Sequence, residues 1–166
     1  MADINLKEIK FDELDKEELF LKSAELLYFA YRDFIAWPDS ELQKYGFGRA
    51  HHRVLFFVGQ NPGMTVAELL NILNITKQSL SRVLSTLINK GYIIQEIGPE
   101  DRRQRLLNLT DKGKSLLFDV SEHQKEQILK AFQEAGLENV EGFWNVLMSL
   151  IKLENRNEIL DLIFKN

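Results

Sequence analysis

Residues 65–110 read TVAELLNILNITKQSLSRVLSTLINKGYIIQEIGPEDRRQRLLNLT, and the punctuation of this stretch decides the fold. Thr65 stands three residues before Glu68. That spacing predicts a reciprocal capping box, in which the hydroxyl accepts from the Glu68 amide while the carboxylate reaches back to Thr65. A short helix therefore opens here and runs to about Leu73. Asn74 and Ile75 make a turn, and Thr76 is placed to cap a second helix over Lys77 to Lys90. Gly91 stops it, being the residue that best tolerates a left-handed position after a helix. Tyr92 to Ile97 and Arg105 to Leu109 then have the composition of strands, separated by the turn-rich Gly98 to Gln104. Helix, tight turn, helix, strand, basic loop, strand is the order of a winged helix-turn-helix.

The second helix carries the functional signal. Leu80, Val83, Leu84, Leu87 and Ile88 fall at helical spacing and form one apolar stripe, which leaves Gln78, Ser81, Arg82 and Ser85 on the other face. That face holds no acid, as a surface lying against phosphates requires. It offers a guanidinium able to grip guanine O6 and N7, and an amide able to pair with adenine N6 and N7. The bland alternative is that polar residues lie opposite the core stripe of any surface helix. In the hairpin loop, Arg102, Arg103 and Arg105 fall within four positions, suited to phosphates or a narrow minor groove. A carboxylate among arginines would repel DNA, so Asp101 reads as a residue that positions an arginine or the turn. The bland alternative for the loop is a charged tip that only confers solubility.

These runs resemble a known family. Thr65-Val-Ala-Glu-Leu, Thr76-Lys-Gln-Ser-Leu-Ser-Arg82, Leu87-Ile-Asn-Lys-Gly91-Tyr, Asp101-Arg-Arg103 and Leu109-Thr-Asp-Lys-Gly113 occur in the order seen in the MarR family of bacterial transcriptional regulators. The likeness spans about residues 20 to 150. His51-His-Arg-Val-Leu55 and the Gln-Arg-Leu-Leu-Asn-Leu run after the wing resemble its PetP-like branch. The resemblance implies a homodimer on a near-palindromic operator, with the family's wing aspartate and arginine falling on Asp101 and Arg103.

A chain of 166 residues with 45% hydrophobic content suits one packed domain with extensions. It has no run of 18 apolar residues and no basic, then apolar, leader at its N-terminus, so a cytoplasmic protein without a membrane span is expected. With no cysteine, the chain has no disulfide framework, thiolate metal site or thiol-based sensing. The net charge of −4 is unevenly spread. Residues 44–114 carry 11 Lys and Arg against five Asp and Glu, a net +6, while the flanks carry 10 against 20, a net −10. A basic middle with acidic ends concentrates any nucleic-acid affinity in the reading module.

The first 15 residues, with Ile4, Leu6, Ile9, Phe11 and Leu14 scattered among acids, are expected to form a partly ordered arm. Leu19, Phe20, Ala24, Leu27, Tyr28, Tyr31 and Ile35 predict an amphipathic helix from about Lys16 to Phe34, ending before Pro38. Its aromatic residues, Tyr28, Phe29, Tyr31, Phe34 and Trp37, fit core or a dimer interface better than a ligand crevice. A candidate effector pocket nonetheless comprises Tyr28, Tyr31, Trp37, Arg53 and Phe57. A helix over Phe47 to Val58 follows, turning Val54, Leu55, Phe57 and Val58 inward. His51 and His52 project about 100° apart on it, which argues against a shared metal; with Arg53 they suit a phosphate, an effector carboxylate or plain solvent. Thr110 is placed to cap a long helix from Asp111 to about Ala135, stopped by Gly136. A last major helix is expected from Glu138 to about Asn155, with Ile159 to Phe164 following. The apolar residues of these ends are too far from the reading module to serve its core, and a partner subunit is the economical cover.

The expected protein is mainly α with a small β wing. It has a dimerising arm and helix over 1–43, a winged helix-turn-helix over 44–110 and dimerising helices over 111–166. Its expected role is sequence-specific regulation of transcription, as a repressor relieved by a small aromatic or anionic effector. Double-stranded DNA would be met by Thr76, Lys77, Gln78, Ser79, Ser81, Arg82, Arg102, Arg103 and Arg105. A winged-helix module that binds proteins instead of DNA is the alternative. No carboxylate pair, activated nucleophile, phosphate loop or metal cluster assembles at convincing spacing, so neither catalysis nor a cofactor is expected.

Overall fold

A computed structural model describes residues 9–99 and 101–164; Ile4 and Leu6 of the expected arm, and Glu100 of the wing loop, lie outside them. The chain divides between Trp37 and Pro38 into two compact units. The first holds a 3-10 turn over Phe11–Glu13 and most of helix α1, Lys16–Gln43. Asp15 opens α1 by accepting the Glu18 amide at 2.9 Å. The stripe expected to be core or dimer interface on this helix is exposed in the single chain, with Phe20 61% and Tyr28 63% accessible.

The predicted stop before Pro38 is wrong: α1 runs through the proline to Gln43. A proline inside a helix forfeits one backbone hydrogen bond and crowds the preceding turn. Here Pro38 and Leu42 are the two buried residues of α1, so packing in the second unit outweighs that local preference.

The second unit continues with α2 (Arg49–Gln60), β1 (Met64–Thr65), α3 (Val66–Leu73) and α4 (Lys77–Asn89). Strands β2 (Ile93–Ile97) and β3 (Arg105–Leu109) follow, then α5 (Asp111–Ala135), a 3-10 turn over Leu137–Asn139, α6 (Val140–Leu150) and α7 (Leu153–Phe164). Helix α2 starts at Arg49, two residues later than expected, because Gly48 is extended and Phe47 is buried in the preceding loop. The antiparallel sheet has the order β1-β3-β2, with Met64 opposite Leu107 and Ile93 opposite Leu109. The two-residue β1 was not anticipated. It is too short to show alternation and exists only because β3 is beside it.

Threonines cap three helices as their spacing predicts. Thr65 accepts from Glu68, Thr76 from Ser79 and Thr110 from Gly113. The core gathers on α2: Val54, Leu55 and Val58 are buried, together with Leu42, Leu69, Leu80, Leu84, Leu87, Ile93, Leu107, Leu116 and Val120. Val83 and Ile88, at the stripe's edges, are half-buried. Close approaches at two glycines tighten this cluster. A Cβ at Gly59 would stand 2.4 Å from a Leu117 methyl, and one at Gly113 would stand 2.1 Å from the Tyr92 carbonyl oxygen.

The expected single helix from Glu138 to about Asn155 is in fact broken. Ile151 is extended, with ψ 133°, and Arg156 donates to the carbonyls of Ser149 and Ile151, both at 3.0 Å. The guanidinium thus satisfies carbonyls that the end of α6 leaves without helical donors. None of the residues of α6 or α7 that the structure describes is buried.

Candidate nucleic-acid interface

Two local decisions set the angle between α3 and α4. Asn74 adopts the left-handed conformation, φ 47° and ψ 49°, which its short polar side chain tolerates better than most. Thr76 then closes the first turn of α4, its hydroxyl accepting from the Ser79 amide at 3.2 Å and lying 2.9 Å from the Ser79 hydroxyl. With the leucine stripe inward, Thr76, Lys77, Gln78, Ser79, Ser81 and Arg82 are all exposed on the first turns of α4, and no acid lies among them.

The wing is a hairpin closed by its own backbone. The Gly98 amide donates to the Gln104 carbonyl at 3.2 Å, and the Gln104 amide to the Asp101 carbonyl at 2.9 Å. A Cβ at Gly98 would stand 2.8 Å from that same Asp101 oxygen, so the closure needs glycine. The Asp101 carboxylate accepts from the Arg103 amide at 2.9 Å and from Arg103 Nε at 3.3 Å. This ion pair is well exposed and adds little stability, but it orients the stem of an arginine that is 93% accessible. Arg105 turns back, its Nη1 donating to the carbonyls of Arg102 and Gln104 at 2.7 and 3.1 Å. Arg102 and Arg103 are left as the outward cations of the tip.

Helix starts and wing root meet at an open crevice of about 470 Å³, lined by Thr65, Val66, Ala67, Leu70, Lys77, Arg103, Gln104 and Arg105. The structure thereby brings Lys77 of the second helix together with two arginines some 26 positions further along the chain. Val66, Ala67, Leu70 and Gln104 were not among the residues picked from the sequence. The capping box had placed the first two at a helix start, but nothing local says which surface that start faces.

The candidate effector residues fare differently. Tyr28 and Tyr31 share an open groove of about 460 Å³ with Ala24 and Leu27 in the first unit. Trp37, Arg53 and Phe57 do not line it, and the latter two belong to the second unit.

Neither histidine of α2 is simply solvated. His51 stacks on Phe47 with centroids 4.9 Å apart, and its Nδ1 accepts the Gly48 amide at 3.2 Å. Burial lowers its pKa, and the charge of Lys90 lowers it further. Burial also lowers the pKa of His52, against the pull of Asp39. Asp39 is held by Arg49 at 2.7 Å. Among the described residues, no three His, Asp or Glu side chains form a group that could hold a metal, and no helix is long and apolar enough to cross a membrane.

Comparison with known proteins adds the wider context. The MarR family model matches residues 45–104. Over 135 residues the chain is 43% identical to the HTH-type transcriptional regulator PetP of Rhodobacter capsulatus, covering 81% of each. It is 25% identical over 119 residues to the HTH-type transcriptional regulator BilQ of Clostridium symbiosum, covering 63% of this chain and 83% of that one. Among solved structures, Streptococcus pneumoniae FabT in complex with DNA superposes with a TM-score of 0.70 at 20% identity, covering 79% of this chain and 94% of the other. At that identity the superposition speaks for the fold alone.

Proposed function

The chain belongs to the MarR family, and from that premise we propose that it is a homodimeric repressor of a pseudo-palindromic operator. It is a DNA-binding transcriptional regulator, not an enzyme. One observation carries the finer reading. The exposed, acid-free row Thr76, Lys77, Gln78, Ser79, Ser81 and Arg82 begins at the same crevice as Arg103 and Arg105 of the wing. A helix start in the major groove with a basic wing beside it spans one half-site, and the dimer's two-fold axis supplies the second about one helical turn away. Gln78 and Arg82 read bases; Lys77, Arg102 and Arg103 anchor phosphates or enter the minor groove, and Asp101 and Arg105 shape the wing. By role, 1–43 and 111–166 are dimerising segments and 44–110 is the reader.

The net +6 of the middle and −10 of the flanks support this division, because they direct phosphate affinity to the reader. Repression follows from occupancy of the operator. A small aromatic or anionic effector relieves it only to the extent that it binds the two half-site spacings unequally. The Tyr28 and Tyr31 groove supports an aromatic ligand more than the wider pocket drawn from the sequence. Selection of bound duplexes from random DNA tests the reading: an enriched inverted repeat is expected, and enrichment of no motif would leave a winged helix that meets an acidic protein.

A further inference from the structure

We propose that Lys90 is a positioning residue for DNA recognition, fixing the angle at which α4 leaves the body of the protein and hence the half-site spacing the dimer accepts. This rests on the dimeric reading above. Lys90 follows α4 directly, at the end opposite to the reading row. Its ammonium donates to the Tyr45 carbonyl at 2.7 Å and stands 4.8 Å from the Phe47 ring centroid, so it grips the connection between α1 and α2. That connection is shaped to receive it. Gly46 has φ +71°, and a Cβ there would stand 3.1 Å from the Lys90 nitrogen.

A second tie holds the same point from the other side. Lys112, in the first turn of α5, donates to the Lys90 carbonyl at 2.9 Å and lies 4.3 Å from the Tyr92 ring centroid. Tyr92 meets Phe47 edge-on at 4.9 Å and Tyr45 at 6.5 Å. The end of the recognition helix is thus pinned between the segment that follows α1 and the start of α5, each continuous with a segment assigned to the dimer.

The apolar stripe of α4 cannot do this alone. Burial of leucines is non-directional and tolerates a small rocking of the helix, whereas hydrogen bonds to a carbonyl are directional. From Lys90 to Gln78 is 12 residues, about 18 Å along the helix axis. A tilt of about 5° at Lys90 therefore moves the reading end by about 1.5 Å, and the two-fold axis imposes that displacement on both half-sites.

The test uses the full chain and a set of duplexes carrying the selected half-sites with the preferred spacer and with one base pair added or removed. Lys90→Met keeps the stem over Phe47 and removes the donor, Lys90→Arg restores a donor, and Lys112→Met cuts the second tie without touching the Lys90 side chain. Thermal melting establishes that each variant is folded. Lys90→Met is expected to bind the preferred spacer about tenfold more weakly while changing less than about twofold on the altered spacers and on non-specific DNA. Lys90→Arg recovers most of that preference, and Lys112→Met shows the same flattening. Spacer preference that stays as in the unaltered protein, or an equal loss on every duplex with a shallower salt dependence, overturns the proposal; the second result would make Lys90 a phosphate contact. Should the unaltered protein favour no spacer or sequence at all, the dimeric DNA-reading account fails first, and visibly so.

Discussion

Arg82 lies on the exposed face of α4, six residues after Thr76, while its own carbonyl accepts from the Thr86 hydroxyl at 2.9 Å. If its guanidinium reads a base, Arg82→Ala loses roughly 1–3 kcal/mol at one symmetric pair of operator positions and little elsewhere. Affinities for a panel of singly substituted operators check this, and an equal loss on all of them would make it a phosphate anchor. His51 gives a second prediction, in pH. Its folded pKa is lowered, by burial first and then by Lys90, so between that value and about 6.5 the unfolded chain binds more protons than the folded one. The stabilisation is complete above about pH 6.5 and drains away as pH falls toward and through the folded value. Protonation also ends the acceptance of the Gly48 amide by Nδ1. In His51→Gln, whose side chain can keep that cap, the drop in thermal midpoint between pH 7.5 and 5.5 should be smaller than in the parent chain; an unchanged drop would remove His51 from the acid response.

At the level of elements, the wing is the clearest case of a small structure built for one side chain. Gly98 permits the close turn, and Asp101 holds Arg103 by its amide and its Nε. Arg103→Ala is expected to weaken binding to every DNA sequence and to lower the slope of log affinity against log salt by about one for each subunit. Titrations at several salt concentrations measure it, and a folded variant with both quantities unchanged would take Arg103 off the DNA. Helix starts were legible in the sequence because a threonine cap is settled within four residues, as at Thr65, Thr76 and Thr110. Gly91 and Asn74 were legible for the same local reason. Three of the misread elements depend on contacts beyond their own turn of chain. Pro38 stays helical because Leu42 and its neighbours pack, β1 exists because β3 pairs with it, and α6 ends at Leu150 where Arg156 caps its carbonyls from six residues further on. Of the candidate site, the acid-free row and the arginines could be read from spacing. The crevice joining Lys77 to the wing could not, nor could the grip of Lys90 on Tyr45, since both are contacts between segments far apart in sequence.

For the whole molecule the informative quantity is what a single chain leaves uncovered. Leu153 is 80% accessible, Leu137 77% and Leu150 64%, and Phe143, Trp144, Val146, Ile163 and Phe164 are exposed as well. Burying each large apolar side chain contributes roughly 1.5–3 kcal/mol, so a few of them outweigh the entropic cost of association. Deleting residues 140–166 should therefore give a monomer, or an insoluble chain, with far weaker operator affinity. Light scattering and binding on the same sample decide it, and a soluble truncated monomer with intact affinity would show that these helices serve another purpose. On this proposal two identical readers, fixed by a two-fold axis, bind inverted half-sites about one helical turn apart. The affinity of the intact protein for its selected operator, before and after five base pairs are inserted between the half-sites, measures this. Half a turn of the duplex carries one half-site to the opposite side, so most specific binding should be lost. Equal affinity for the two duplexes would rule out that arrangement.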